Sequence, residues 1–349
     1  MNHLKTQQKE NKMYFFVNDY NDIGRKDILQ ALLNAQDEYN LGYGFDSHSE
    51  NARNLIKKAL KNDNVDIHFI PGGTGANVLG LACGMNQQDS IISVSTGHIE
   101  GHEAGSIEAT GLKIETINSD NGKLSLELLE EKYSHFNSEY VTVPKKVYIS
   151  NTTELGEVYT RDEIEEIYDF CKSHDMYLFM DGARIAHALA SEKCDYTLSD
   201  LSNLCDIFYL GGTKNGLLYG EALVIVNNEL KRNFINLQKQ KSSLMAKGFV
   251  SGIMFETVFS KENGYLEGAT HAYKMAKKLA EGFTSNGYEL AYPFESNQVF
   301  VKLSDEKVDS LKKIAKFELM GKRDNNNVGR FVSTYRTSNS DIEGFLEEI

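Results

Sequence analysis

The chain has 349 residues, 41% hydrophobic and 25% charged, with a formal net charge of −13. That composition supports a sizeable folded core and excludes nucleic acid as a main partner, because phosphate backbones call for clustered Lys and Arg. No run of about 18 apolar residues occurs, so no membrane span is expected, and the polar start Met1–Lys12 lacks the apolar centre of a secretory signal and reads as a frayed tail.

Residues 1–48 read as this tail followed by an arm. Lys26–Asn34 has helical character, and the rest of Asn21–Ser47 is irregular and carries Gly and Tyr. Residues 49–245 then alternate in type and read as a large, cofactor-binding domain. Glu50–Asn62 predicts a helix, Asp66–Ile70 a strand, Thr74–Met85 a helix, and Ile91–Val94 and Lys113–Ile117 strands. Leu124–Tyr133 predicts a helix and Lys146–Ser150 a strand. Thr160, with Glu163 three residues on, forms a capping box ahead of a helix that aligns Ile164, Ile167, Tyr168 and Cys171. Apolar runs follow at Met176–Met180, Ile207–Leu210 and Ala222–Val226. This alternation predicts an α/β fold with a mainly parallel sheet covered by helices on both faces. Residues 246–349 read as a smaller α+β domain, with helices at Thr270–Ser285 and Ser304–Phe317 and strands at Val299–Leu303 and Arg330–Tyr335. Cys83, Cys171, Cys194 and Cys205 form no C-x-x-C pair and sit among core-like neighbours. They read as reduced thiols, which points to a cytoplasmic protein.

Three short stretches each follow a predicted strand, where ligands of parallel sheets collect. Gly72-Gly73-Thr74-Gly75-Ala76-Asn77 opens a helix and offers backbone N–H donors to an anion. It is neither a Walker A loop nor a full dinucleotide fingerprint. Asp181-Gly182-Ala183-Arg184 ends an apolar strand with a carboxylate, which suits a protonated ring nitrogen as partner, or else Arg184 or a helix cap. Gly211-Gly212-Thr213-Lys214-Asn215-Gly216 aims a lysine from a glycine-rich loop, where burial lowers its pKa toward imine chemistry. A phosphate cradle, a ring-nitrogen partner and an amine for an aldehyde are the parts that hold pyridoxal 5'-phosphate. His98-Ile99-Glu100-Gly101-His102-Glu103 admits three readings: a metal pair, an imidazole over an aromatic cofactor, or a polar loop. Arg330 in an apolar strand calls for an anionic partner, either a substrate carboxylate or a structural acid. Asn151-Thr152-Thr153 and Asn297 add neutral polar groups at strand ends.

In this order, Pro71–Asn77, His98 with Glu103-Ala104-Gly105, Asn151-Thr152-Thr153, Asp181–Arg184, Lys214 and Arg330-Phe331-Val332-Ser333 resemble the threonine aldolase and β-eliminating lyase family. The resemblance runs from about Asp19 to the end. It implies the aspartate aminotransferase-like fold of fold-type I pyridoxal phosphate enzymes, with a seven-stranded large-domain sheet. It implies that Lys214 forms the Schiff base, Asp181 binds the ring nitrogen, His98 stacks on the ring, and Gly73, Thr74 and Thr213 bind phosphate. Arg184 and Arg330 hold the substrate carboxylate in that scheme, with Asn151 and Tyr43 on the substrate side and no metal. Tyr43-Gly44-Phe45-Asp46 resembles an arm that completes a neighbour's site, which implies a homodimer or homotetramer. The activity implied is retro-aldol cleavage of a β-hydroxy-α-amino acid such as L-threonine or L-allo-threonine to glycine and an aldehyde. His98, His102 or a water between them acts as base. β-Elimination, transamination and a non-catalytic cofactor-binding role are the alternatives. The chain departs from the family at Asn18–Asp22, at Thr213, at His102 and at Ser333-Thr334, mostly on the substrate side.

Overall fold

The computed structural model describes residues 12–349, so nearly all of the tail Met1–Lys12 lies outside the described residues. Its strands are β1 (Tyr14–Phe15), β2 (Asp66–Ile70), β3 (Asp89–Val94), β4 (Lys113–Ile117), β5 (Val143–Ser150), β6 (Tyr177–Asp181), β7 (Ile207–Gly211), β8 (Glu221–Ile225), β9 (Gln298–Leu303), β10 (Ala315–Lys316), β11 (Glu318–Arg323) and β12 (Asn326–Val332). Seven of them form one sheet in the order β2-β8-β7-β6-β5-β3-β4. Only β8 runs against its neighbours, pairing antiparallel with β2 and β7. β3, β7 and β8 are buried at every residue, as strands covered on both faces must be.

The two faces carry separate cores because successive side chains of a strand alternate. Tyr148, Phe179, Ile207, Tyr209 and Leu223 meet Ala76 and Leu79 of the helix Gly73–Ala82 on one face. Val147, Ile149, Leu178, Met180 and Phe208 meet Ile164, Ile167 and Cys171 of the helix Arg161–Ser173 on the other. The latter helix starts at the expected capping box: the Thr160 side chain accepts from the Glu163 N–H, and the Glu163 carboxylate accepts from the Thr160 N–H. All four cysteines are free thiols.

The C-terminal third departs more from its sequence reading. The helix Phe249–Phe259 was not expected; it is apolar all round and shows no 3.6-residue stripe. It supplies Met254, Phe255 and Val258 to the core of the large sheet. The next helix runs over Gly264–Ser285, six residues longer at its start than predicted. It gives Tyr265 and Ala269 to that same core and Met275, Leu279 and Phe283 to a third core under the small sheet. The predicted helix Ser304–Phe317 stops at Leu311, because Ala315–Lys316 is drawn out to pair in parallel with Tyr14–Phe15. The predicted strand Arg330–Tyr335 instead covers Asn326–Val332. It pairs with β9 and with β11 across a two-residue turn, Asp324-Asn325, whose residues both have positive φ. β11 escaped the sequence reading because most of its residues are exposed.

Candidate active site

The polar residues singled out by sequence converge on the carboxyl ends of the parallel strands. Asp181 is the last residue of β6, and Lys214 lies three residues past β7. His98 opens a short helix after β3, and the glycine stretch opens the helix Gly73–Ala82 after β2. The first-turn N–H groups of that helix have no partner inside it, and Gly72 at its start supplies no side-chain cap. The far end is closed by Lys146, fully buried on β5, whose ammonium donates to the carbonyls of Gly80 (2.8 Å), Leu81 (3.2 Å) and Cys83 (2.5 Å). A cation at the C-terminus and open donors at the N-terminus both favour an anion at the cradle.

The two central motifs are locked together by backbone. Gly211 N–H donates to the Gly182 carbonyl at 3.1 Å. A Cβ on Gly182 would fall 1.8 Å from the Tyr209 carbonyl oxygen, and one on Gly211 would fall 2.3 Å from that of Ala183. Neither position admits a side chain, so the strand ends that carry Asp181 and Lys214 cross in direct contact.

Asp181 is 4% exposed and accepts four hydrogen bonds. Oδ1 receives the Ala183 N–H at 3.0 Å and the Tyr209 hydroxyl; Oδ2 receives the Asn77 amide at 2.9 Å and the Tyr148 hydroxyl at 2.8 Å. Burial alone raises a carboxyl pKa. Here the donors, Tyr209 first, outweigh burial and hold it below the usual range. Asn77 also donates to Glu103 Oε1 at 2.6 Å, and Glu103 lies 2.8 Å from His98 Nδ1. That carboxylate raises the His98 pKa against the opposing effect of burial. His98 is thus tied to Asp181 through Glu103 and Asn77, and its Nε2 has no hydrogen-bond partner among the described residues.

Lys214 makes no hydrogen bond or ion pair among the described residues. Burial lowers its pKa, and Arg184 nearby lowers it further, against Asp19, Glu154 and Asp181. Its loop is held by Glu221, buried at the start of β8, which accepts the Gly212 N–H at 2.8 Å. Burial pushes the Glu221 carboxyl up to about 7, above its ordinary 4.5. A raised carboxyl pKa stabilises the fold most when the group is protonated, below its unfolded value, and that contribution is lost as pH rises through 7. Glu221→Gln is therefore expected to melt with the native chain at about pH 5 and to be more stable by about 3 kcal/mol at about pH 9; equal melting curves at both would count against it.

Side chains of the chain itself already partner several of the other residues. Arg184, 4% exposed, is bound by Asp19, with Nε 2.7 Å from Oδ2 and one terminal nitrogen 3.1 Å from Oδ1. A carboxylate of the chain thus occupies much of the fork that sequence assigned to substrate. Arg330 likewise pairs with Glu318 and reaches Gln298 Oε1 at 3.4 Å, while its buried Nε has no partner among the described residues. Asn151 is fully buried, and its side chain holds the Tyr196 hydroxyl and the Tyr159 N–H, so it fixes its loop. The Thr213 hydroxyl accepts the Gly220 N–H at 2.9 Å, so it braces the lysine loop. Gly73 and the exposed Thr74 remain open at the cradle. Tyr43 is 41% exposed under the Lys239 ammonium, outside these contacts. His102 is exposed, with its ring 5.5 Å from that of His98. Among the described residues, no group of three or more His, Cys, Asp or Glu is arranged to hold a metal ion.

Four residues at the site were missed. Asp19 sits between Arg184 and Asn297, whose amide donates to it at 3.0 Å. Only its place within Asn18–Asp22, where the chain departs from the family, hinted at it. Tyr148 and Tyr209 looked like ordinary members of apolar strands. Glu154, in the loop after β5, bears electrostatically on His98, Lys214, Arg184 and Tyr148.

A mainly parallel seven-stranded sheet with a lysine and a carboxylate crossing at its strand ends defines an aminotransferase-like fold. An aspartate aminotransferase from Thermotoga maritima superposes with a TM-score of 0.72 over 97% of this chain and 91% of its own, at 15% identity. A threonine aldolase from Leishmania major superposes with a TM-score of 0.93, at 39% identity over 96% of this chain and 98% of that one. A low specificity L-threonine aldolase from Pseudomonas aeruginosa is 30% identical over 285 residues, 81% of this chain and 82% of the relative. The family model described as Beta-eliminating lyase matches residues 26–306, and the chain belongs to that family.

Proposed function

We propose that the chain is a pyridoxal phosphate-dependent aldehyde-lyase that cleaves a β-hydroxy-α-amino acid, threonine or allo-threonine, to glycine and an aldehyde. The observation that carries this reading is Lys214, without a polar partner among the described residues, in the field of Asp181 and held there by the Gly182–Gly211 crossing. The open N–H groups at Gly73–Gly75 suit the cofactor phosphate, and the Asp181 carboxylate suits its ring nitrogen. When bound, the cofactor supplies an aldehyde for an amine and an electron sink for the bond broken at Cα.

The remaining chemistry falls to side chains. Lys214 sheds its proton more readily than a solvated lysine, so its amine is available for the aldehyde. His98 covers the open side, with Nδ1 fixed by Glu103 and Nε2 free to take the β-hydroxyl proton. His102 and the Glu154 carboxylate are the other bases in the neighbourhood. Arg184 and Arg330 retain donors beyond those given to Asp19, Glu318 and Gln298, and these are our assignment for the substrate carboxylate. Tyr43 and the exposed Tyr39, Leu41 and Phe45 beside it suit an arm that meets a second copy, in keeping with a homodimer or homotetramer. A cytoplasmic site of action goes with the four free thiols.

The test is an incubation with L-threonine and L-allo-threonine in the presence of pyridoxal phosphate. Glycine and acetaldehyde in equal amounts are the expected products. 2-Oxobutyrate with ammonia, and no glycine, would replace this reading with an elimination.

A further inference from the structure

The immediate surroundings of Asp181 go beyond what a ring-nitrogen partner needs. Tyr148 on β5 and Tyr209 on β7 flank the strand that carries Asp181, and each donates its hydroxyl to a different oxygen of that carboxylate. Both are essentially unexposed, at 0% and 1%. Their rings are set by Phe179 between them, with centroids 5.9 Å from Tyr148 and 6.3 Å from Tyr209. With Ala183 N–H and the Asn77 amide, they fill the roughly four acceptor positions of a carboxylate.

We propose that Tyr148 and Tyr209 are positioning residues that keep Asp181 ionised in a dry site, so that the proton it shares with a ring nitrogen stays on the nitrogen. The inference rests on the cofactor reading above. An acid facing a pyridine away from water tends to the neutral pair, because burial disfavours both charges. The proton then moves to the carboxylate, and the ring loses the charge that draws electrons from Cα. Hydrogen bonds to the charged form reverse that preference. The Ala183 N–H is backbone, and Asn77 divides its amide between Asp181 and Glu103. The tyrosines are therefore the dedicated donors. Burial holds both phenols far above their ordinary pKa, so they remain donors across the working range. Glu103, Glu154, His98 and Lys214 also bear on this centre, and Tyr→Phe changes leave all of them in place.

The experiment compares the native chain with Tyr148→Phe, Tyr209→Phe and the double variant. In protein free of cofactor, the carboxyl carbon of Asp181 is followed by NMR against pH. Its midpoint is expected to rise by about one pH unit or more in the double variant and by less in each single one. In protein loaded with ring-15N pyridoxal phosphate, the native chain is expected to give a protonated-ring signal and the double variant a shift toward the unprotonated one. In the same variants kcat falls about tenfold or more with KM little changed. An unchanged carboxyl midpoint together with an unchanged ring signal overturns the proposal. If borohydride fails to fix the cofactor on native Lys214, the functional reading fails instead, and the cofactor-free titration still decides the role of the tyrosines. If the double variant does not fold, the single variants carry the same comparison.

Discussion

Lys214→Ala is expected to lose turnover of threonine by at least about a thousandfold, since it removes the amine proposed to meet the cofactor aldehyde. It is also expected to release the cofactor on gel filtration after borohydride treatment, where the native chain retains it. Stability should move the other way. Lys214 is largely buried and has no polar partner among the described residues, so its ammonium is held at a net cost. The cofactor-free variant should melt at the native temperature or above it. A variant that lost activity because it unfolded would contradict this reading, as would one that still fixed cofactor covalently at the same site.

Asp181→Asn carries the second large effect, and here stability and function fall together. The substitution keeps the shape and sets an NH2 group against hydroxyl and amide donors that now lack an acceptor. Buried donors left unpaired cost about 1–3 kcal/mol each, so a loss on the order of 3 kcal/mol in urea unfolding is expected. Cofactor affinity should fall with it, and kcat by about a hundredfold or more, because the ring nitrogen loses its counter-charge. A stable Asp181→Asn protein of native activity would remove Asp181 from the proposed mechanism.

What could be read from sequence followed residue chemistry more than pattern. Asp181 stood out because it ends an apolar run, and Lys214 because glycines flank it just past another, and the two gained weight when set beside the glycine cradle. The large sheet was legible because β and α periodicities alternate without interruption from Asp66 to Ile225. Tyr148 and Tyr209 stayed hidden because a tyrosine in an apolar strand looks like core, and in part it is: both rings pack under the helix Gly73–Ala82. Asp19 was out of reach for another reason. Its partner Arg184 is 165 positions away, and no local pattern encodes such a pairing. The helix Phe249–Phe259 was missed because apolar residues on every side erase its period. The early stop of the helix from Asp305 depended on β1, more than 290 residues upstream. In each case the deciding contact was tertiary, whereas the signal available was local.

The crossing of Gly182 over β7 acts as a fixed gauge between the two tools of the site. Asp181 and Lys214 are set at the ends of strands whose main chains press on one another at Gly182 and Gly211, where no side chain fits. Redirecting this chain to another reaction would then fall to side chains around that crossing, His102 and Glu154 among them, on a spacing that stays constant. An inserted residue in either loop would spoil every reaction at once, whichever bond those side chains select.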